Sequence, residues 1–408
     1  MSRISFADIE DGDVLEYDVV VVGGGPVGST VARFAAKNGV DKVLVIEKRQ
    51  EIGSPVRCAE GISVSWFDDL GMEEKENFTA RRMIGAKIYS PSGNMFKIGA
   101  EMAGDEVGIV VERDIFDKEM AVLAGKEGAD FMVKTAVTDV IKDDGKIMGV
   151  EAERMSKKFE VHADLIVGAD GFESQVGRWA GMYGAVKPKD IMTCFQYRMT
   201  NIDIDADYTH FYMGSCAPGG YVWIFPKDED TANVGIGVQA SGLDGSRSPK
   251  DYLDEFIEDH EELLQGQCVD MVAGAVEVSP PMDKTVMDGL MLAGDAARVV
   301  DPITGGGISN GLKQAKVAGE VAAEAVEEGK FYEEFLSRYD KRWKEILEDK
   351  LWRNYMAKET AITLDDEVFD KVIDALSEMD LKGMSVGTIL KGVQEKYPEL
   401  VEEFEDLL

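Results

Sequence analysis

The stretch Asp18–Gly28, DVVVVGGGPVG, constrains this chain more than any other. It reads as a buried strand from Asp18 to Val22, a tight turn, and a helix from Pro26 to about Asn38. The turn carries Gly23-x-Gly25-x-x-Gly28. The first glycine permits the sharp turn, the second lets a pyrophosphate approach the backbone, and the third lets the helix pack close to the strand. Phosphates then sit at the helix N-terminus, where free N–H groups and the helix dipole favour negative charge. On its own the glycine pattern is weak. Here a second strand, Lys42–Ile46, ends in Glu47, about 20 residues beyond the glycines, where a carboxylate takes the ribose hydroxyls of an unphosphorylated adenosine. The unit is therefore read as a dinucleotide-binding strand–turn–helix.

The length of 408 residues gives room for two or three domains and a large core. A formal net charge of −34 argues against nucleic-acid binding and against a strong electrostatic hold on anionic lipid. The acidic N-terminus, MSRISFADIEDGDVLEY, lacks an apolar core and is not a signal peptide. No run of about 18 apolar residues predicts a membrane span. Cys58, Cys194, Cys216 and Cys268 are scattered without a CxxC pair, and His162, His210 and His260 form no ligand pattern, so no metal site is expected. Nothing resembles the nucleophile elbow of a hydrolase. A reducing cytoplasm is the expected location.

Beyond the first unit, the loop Gly53–Gly61 contains Arg57-Cys58-Ala59-Glu60-Gly61, next to the ribose acid, and is read as backbone that approaches a ligand. Residues 86–102 read as a hairpin around Pro-Ser-Gly-Asn. A helix is expected from Asp114, followed by strands at 130–133 and 136–142. A second buried strand, from His162, ends in Gly168-Ala-Asp170-Gly171. From Thr193 to Val278 aromatic-rich strands (CFQYRM, THFYM, YVWIF, ANVGIGV) read as an inserted antiparallel sheet, interrupted by a helix at 249–264. The strand Leu290–Ala293 returns to the first pattern and ends in Gly294-Asp295. The loop Asp301–Asn310, rich in glycine, leads into a small-residue helix at 311–328. The remainder is helical and charged, with Phe331, Phe335, Tyr339 and Trp343 at helical spacing, and reads as a cap.

Three glycine turns thus end three buried strands. An aspartate at the third, Asp295, can hydrogen-bond a ribityl hydroxyl, and a helix N-terminus near Gly307 and Ile308 can hold a flavin's pyrimidine edge. FAD spans such a distance; NAD does not need it. The expected fold is α/β: a Rossmann-type FAD-binding domain with an inserted antiparallel-sheet substrate domain and a helical C-terminal region. The expected boundaries are a polar leader at 1–16, FAD-binding segments at 17–190 (with the hairpin 86–102) and 281–329, the substrate domain at 191–280, and the helical region at 330–408.

With these motifs the chain resembles the hydroxybenzoate-hydroxylase-type FAD superfamily. Within it, Arg57–Gly61, the Pro218–Pro226 stretch PGGYVWIFP and Asp301–Ile308 resemble the geranylgeranyl reductase family, in its archaeal digeranylgeranylglycerophospholipid reductase branch. The resemblance covers roughly residues 17–355. It implies an FAD enzyme that saturates isoprenoid double bonds in membrane ether-lipid precursors. It implies that Gly23, Gly25, Gly28 and Glu47 hold diphosphate and ribose, that Cys58, Ala59 and Gly61 lie along the flavin, and that Arg113 reaches the cofactor. Ala136 would offer backbone to the adenine, and Asp295, Gly307 and Ile308 would hold the ribityl and ring end. Tyr221 and Trp223 would line an apolar tunnel for a polyprenyl chain.

A trisubstituted alkene is not electron-poor, so hydride from reduced flavin N5 needs a proton at the other carbon. Cys58, Tyr221 and a bound water are the candidate donors, with Cys58 favoured by its loop. The electron donor is not legible; a ferredoxin or another reduced carrier is one candidate. Peripheral contact with the inner face of a membrane follows from the substrate, not from a motif. Alternatives that share the flavin motifs are an FAD monooxygenase acting on an aromatic or isoprenoid, a reductase of a quinone side chain, and a non-catalytic flavin electron-transfer or redox-sensing module.

Overall fold

Val19 to Val22 are buried on both sides because their strand, Val14–Val22, lies inside an eight-stranded sheet. The computed structural model describes residues 9–99, 108–243, 245–378, 386–398 and 400. The main path of the sheet runs Val286–Met287, Leu290–Leu292, Lys157–Gly168, Val14–Val22, Val43–Ile46, Asp130–Met132. From Leu290–Leu292 onward the neighbours are parallel, with Val19 opposite both Leu165 and Val43. Parallel strands need cover on both faces, which explains their continuous apolar runs. The central strand begins at Val14, so residues 14–16 of the expected polar leader already belong to it. Their side chains are mixed, but their backbone pairs with Glu160–His162.

The helices Pro26–Lys37 and Ile308–Glu328 pack on one face and against each other. The contact depends on Gly319: a Cβ there would lie 2.6 Å from both Phe34 Cβ and Val31 O. Behind them runs the 29-residue helix Glu333–Ala361. Its Phe335, Tyr339, Trp343, Leu347 and Leu351 join the same core cluster as Val19 and Val21. Tyr339 donates to Leu292 O at 2.7 Å, and Trp343 Nε1 donates to Thr285 Oγ1 at 3.2 Å. One face of this helix is therefore built into the core of the α/β unit, while its other face is exposed. Trp343→Ala should cost about 3–5 kcal/mol, read as a fall in the thermal unfolding midpoint.

A seven-stranded sheet faces this unit, in the order Gln267–Glu277, Ile191–Thr200, Ala232–Gln239, Tyr221–Pro226, Tyr208–Met213, Gly85–Tyr89, Met95–Gly99. The hairpin expected at 86–102 forms over Gly85–Gly99, with its last residues outside the described chain. It extends the antiparallel sheet and does not belong to the FAD-binding part, because Gly85–Tyr89 pairs in parallel with Tyr208–Tyr212. That partner lies more than a hundred residues further on, so local pattern gave no sign of it. The helix expected at 249–264 ends at Glu258, after a capping box between Ser248 and Asp251.

Candidate functional site

The glycine turn is built as its spacing requires. Gly23 has φ +105°, and a Cβ on it would lie 2.3 Å from Ala169 O. A Cβ on Gly28 would lie 1.9 Å from Gly23 O, so this glycine lets the helix start tight against the turn. Gly25 is different: nothing among the described residues lies within 4 Å of its Cβ position, and it caps the helix N-terminus without any side-chain bond. That is an open cradle of N–H groups for an anion. Glu47 braces the turn, accepting Gly24 N at 2.8 Å on one oxygen and Arg49 N at 2.8 Å on the other.

The cradle opens into a cavity of about 1230 Å³ lined by both large sheets. This exceeds the several hundred Å³ that suffice for a drug-sized ligand, so it has room for a dinucleotide and a second molecule. Gly23, Gly25, Glu47, Cys58, Ala59, Gly61, Arg113, Tyr221, Trp223, Asp295, Gly307 and Ile308 all line it. Gly28 and Ala136 do not. Gly28 packs inward, while Thr135 and Val137, either side of Ala136, reach the cavity.

Polar groups converge along its length. Asp170 Oδ2 accepts Val176 N at 2.9 Å, but Oδ1 is buried with no hydrogen-bond partner among the described residues. Burial first, partly offset by N–H donors, raises its carboxyl above the ordinary range. Arg113 forms a two-point pair with Asp117, at 2.7 and 2.9 Å. Burial pulls its guanidinium down, but Asp117 and then Cys58 outweigh this and hold it above its usual value. Asp295 stands at the start of the other half. Its Oδ1 would lie 2.8 Å from a Cβ on Gly307, so only glycine fits beside it. Burial raises its carboxyl, Arg113 lowers it and Glu277 raises it further, with a net upward shift. A carboxyl with a raised folded-state pKa favours the fold below its unfolded pKa and opposes it as pH rises through the folded value. Asp295→Asn should therefore raise the apoprotein melting temperature at pH 8, with the gain vanishing near pH 3. Paired melts across that range check it.

The loop Asp301–Gly307 is tied to the long helix: Asn354 Nδ2 donates to the buried Asp301 Oδ2 at 2.7 Å, and Asp301 Oδ1 accepts Ile303 N at 3.0 Å. Along Tyr221–Pro226 the side chains alternate. Tyr221, Trp223 and Phe225 face the cavity, while Val222 and Ile224 enter the core on the opposite face. Gly235, on the next strand, makes room for the indole: a Cβ there would come within 2.4 Å of Trp223 Cζ2. Trp223 Nε1 donates to Gln196 Oε1 at 2.9 Å, and the Tyr221 hydroxyl donates to Thr304 O.

Cys58 is half-buried, and its sulfur accepts Glu60 N at 3.2 Å. Cys194 lines the cavity nearby, its thiol pushed up to about 12 by burial and then by Cys58. Sequence reasoning did not find Asp170, Gln196 and Cys194 as site residues. Asp170 lies in a glycine turn that the sequence does reveal; the other two sit within a strand, where alternation alone cannot say which face meets a cavity. It also missed the wall made by Lys358, Ala361, Ile362, Leu364 and Phe369 from the C-terminal helices.

The open cradle at Gly25, the orphaned Asp170 oxygen and the glycine beside Asp295 are features that an FAD would complete. Comparison with known proteins agrees. The profile described as "FAD dependent oxidoreductase" matches residues 18–208, and "Geranylgeranyl reductase catalytic domain" matches 190–276. The digeranylgeranylglycerophospholipid reductase of Thermoplasma volcanium is 48% identical over 394 residues, covering 96% of this chain and 99% of that protein. That of Picrophilus torridus is 47% identical over 97% of this chain and 100% of its own length. A crystal structure of a geranylgeranyl bacteriochlorophyll reductase-like protein from Thermoplasma acidophilum superposes with TM-score 0.91 at 48% identity, covering 97% of this chain and 100% of that one. A flavin-dependent brominase, at TM-score 0.70 and 23% identity, shares the fold.

Fold, cavity and profiles define an FAD-dependent oxidoreductase. The chain belongs to the geranylgeranyl reductase family, within the group of the archaeal digeranylgeranylglycerophospholipid reductases.

Proposed function

We propose that this enzyme saturates the C=C bonds of geranylgeranyl chains in ether-lipid precursors, as the names of its relatives say of them. The observation that carries this reading is the aromatic extension of the FAD cavity. Phe211, Tyr221, Trp223 and Phe225 line one continuous space with the Cys58 loop, giving a long apolar chain a wall of ring faces next to the cofactor. Gly23, Gly25 and Glu47 would hold the diphosphate and adenosine, with Thr135 and Val137 doing what Ala136 was expected to do. Asp170, Arg113, Asp295, Gly307 and Ile308 would hold the remainder. FAD in its reduced form supplies a hydride.

This chain's residues do the rest. The aromatic wall places the alkene and excludes water from it. Cys58 holds the proton that the second alkene carbon requires. Its sulfur accepts the Glu60 N–H and lies beside the Arg113 guanidinium, and solvent restores the proton after turnover. The test is to incubate the reduced holoenzyme with geranylgeranyl ether phospholipid without oxygen and weigh the lipid. Mass gains in two-hydrogen steps support the reading; unchanged lipid sinks it.

We further propose that reducing equivalents come from an acidic carrier protein. Lys48, Arg49 and Arg57 line the outer cavity around Glu173, whose carboxyl is held below its usual range by Lys48, then Arg57 and Arg49. In a chain of net charge −34 this cationic cluster suits such a partner. Rising ionic strength should slow reduction by the carrier but not by dithionite, which separate reduction rates would reveal. The lipid would enter from a membrane surface. No helix among the described residues is long and apolar enough to span a bilayer. Ile303 at the cavity is 40% exposed, and Trp352 and Met356, one turn apart on the long helix, are 41% and 40% exposed; exposed apolar side chains of this kind suit peripheral contact.

A further inference from the structure

Glu60 is heavily bonded and lies beside the proposed chemistry, and nothing in the reaction uses it. It is 1% exposed, yet its backbone lies at φ +73°, a region that residues other than glycine rarely adopt. Its carboxylate accepts four donors. Arg113 N reaches Oε1 at 2.9 Å, from the start of an α/β-unit helix. Asn233 Nδ2 at 2.7 Å and Arg198 Nη2 at 2.9 Å reach Oε2 from the seven-stranded sheet, and Lys227 Nζ at 2.6 Å from just beyond the end of its strand Tyr221–Pro226. Glu112 shares both cations, at 3.1 Å from Lys227 and 3.0 Å from Arg198. Lys227 is itself buried and also donates to Val111 O at 2.6 Å.

The main chain around it is held just as fully. Glu60 N points at Cys58 Sγ, Val111 N donates to Glu60 O at 2.9 Å, Asn233 Nδ2 donates to Ala59 O at 3.1 Å, and Gln196 Nε2 donates to Cys58 O at 3.2 Å. Gln196 is in turn held by Trp223 of the aromatic wall. One carboxylate thus bolts together the loop that carries Cys58, the backbone of Arg113 and the sheet that carries the wall. The backbone of Glu60 is thus held strained at φ +73°. Strain of this kind persists only where its surroundings over-determine it, and it gathers at functional sites.

We propose that Glu60 is a positioning residue for the reduction: its buried carboxylate fixes Cys58 and the Arg113 backbone relative to the aromatic wall. This rests on the reading of Cys58 as proton donor. Glu60→Gln keeps the shape but leaves the buried Lys227 without its nearest charge. Glu60→Gln/Lys227→Met removes both and restores neutrality.

The test compares the two holoenzymes with wild type in melting temperature, FAD content, kcat and KM for geranylgeranyl ether lipid. It also measures the rate at which iodoacetamide alkylates Cys58, located by peptide mass spectrometry. In Glu60→Gln, kcat should fall about 10-fold or more with KM little changed, and Cys58 alkylation should change several-fold. The double variant should regain melting temperature but neither kcat nor the wild-type alkylation rate. Recovery of kcat together with melting temperature would make Glu60 merely structural and overturn the proposal, as would wild-type kcat and alkylation in Glu60→Gln. Should Glu60→Gln fail to fold, the double variant carries the test alone. Full turnover by Cys58→Ala would remove Cys58 as the donor, while the alkylation rate still reports whether Glu60 places that loop.

Discussion

Cys58→Ala retains bound FAD and loses about 10²-fold or more in kcat for lipid reduction, the usual contribution of a positioned general acid. FAD stays because the loop is not held by the thiol. Cys58 O is bonded by Gln196, Ala59 O by Asn233, and Glu60 by its carboxylate, so deleting one sulfur leaves the backbone in place. KM moves little, since the alkene is held by the aromatic wall. The measurement pairs flavin absorbance per protein with single-turnover lipid reduction. A variant that holds FAD and turns over at the wild-type rate removes Cys58 from the chemistry, and Tyr221 or a bound water takes its place as candidate.

Gly28→Ala and Gly25→Ala, three residues apart, should have opposite effects on the protein itself. At Gly28 the new methyl would stand 1.9 Å from Gly23 O, a backbone atom with no means of swinging aside. The helix must move, at about 1–3 kcal/mol, and the cradle moves with it, so the protein should melt earlier and purify without FAD. At Gly25 nothing among the described residues is within 4 Å and φ is −66°. Alanine adopts that conformation without strain and restricts the unfolded chain, which is worth about +0.4–1 kcal/mol. Gly25→Ala should therefore keep or slightly raise the melting temperature of the apoprotein while weakening FAD, because its methyl fills the cradle. Melting curves of both apoproteins with flavin titrations separate the two. Equal FAD affinity in Gly25→Ala would mean that the cradle does not hold the cofactor.

Much of the site could be read from the sequence because its parts are local. A glycine that must turn, one that must leave room and an acid at the next strand end occupy fixed offsets, and Gly23, Gly25 and Glu47 stand where those offsets put them. Asp295 and Gly307, which line the same cavity, were legible for a similar reason: each ends or follows a buried strand at a glycine turn. Features that depend on distant pairing were not legible. Gly85–Tyr89 belongs to the second sheet only through Tyr208–Tyr212. The strand Gln267–Glu277 is an edge strand with one exposed end, so its QCVDM start shows no apolar run. Trp343 has the spacing of any amphipathic helix, and only the fold places it in the core. Glu60, quoted within a motif, could not be singled out, because its four donors come from three separate parts of the chain.

If the proposed reaction is right, geranylgeranyl lipid must take electrons from this enzyme's FAD. The holoenzyme, reduced with one equivalent of dithionite without oxygen, would be mixed in a stopped-flow spectrometer with geranylgeranyl ether phospholipid and, separately, with its fully saturated counterpart. Oxidised-flavin absorbance should return with the unsaturated lipid only, and faster as its concentration rises. Flavin that stays reduced with both lipids, or reoxidises equally with both, would contradict the proposed reaction.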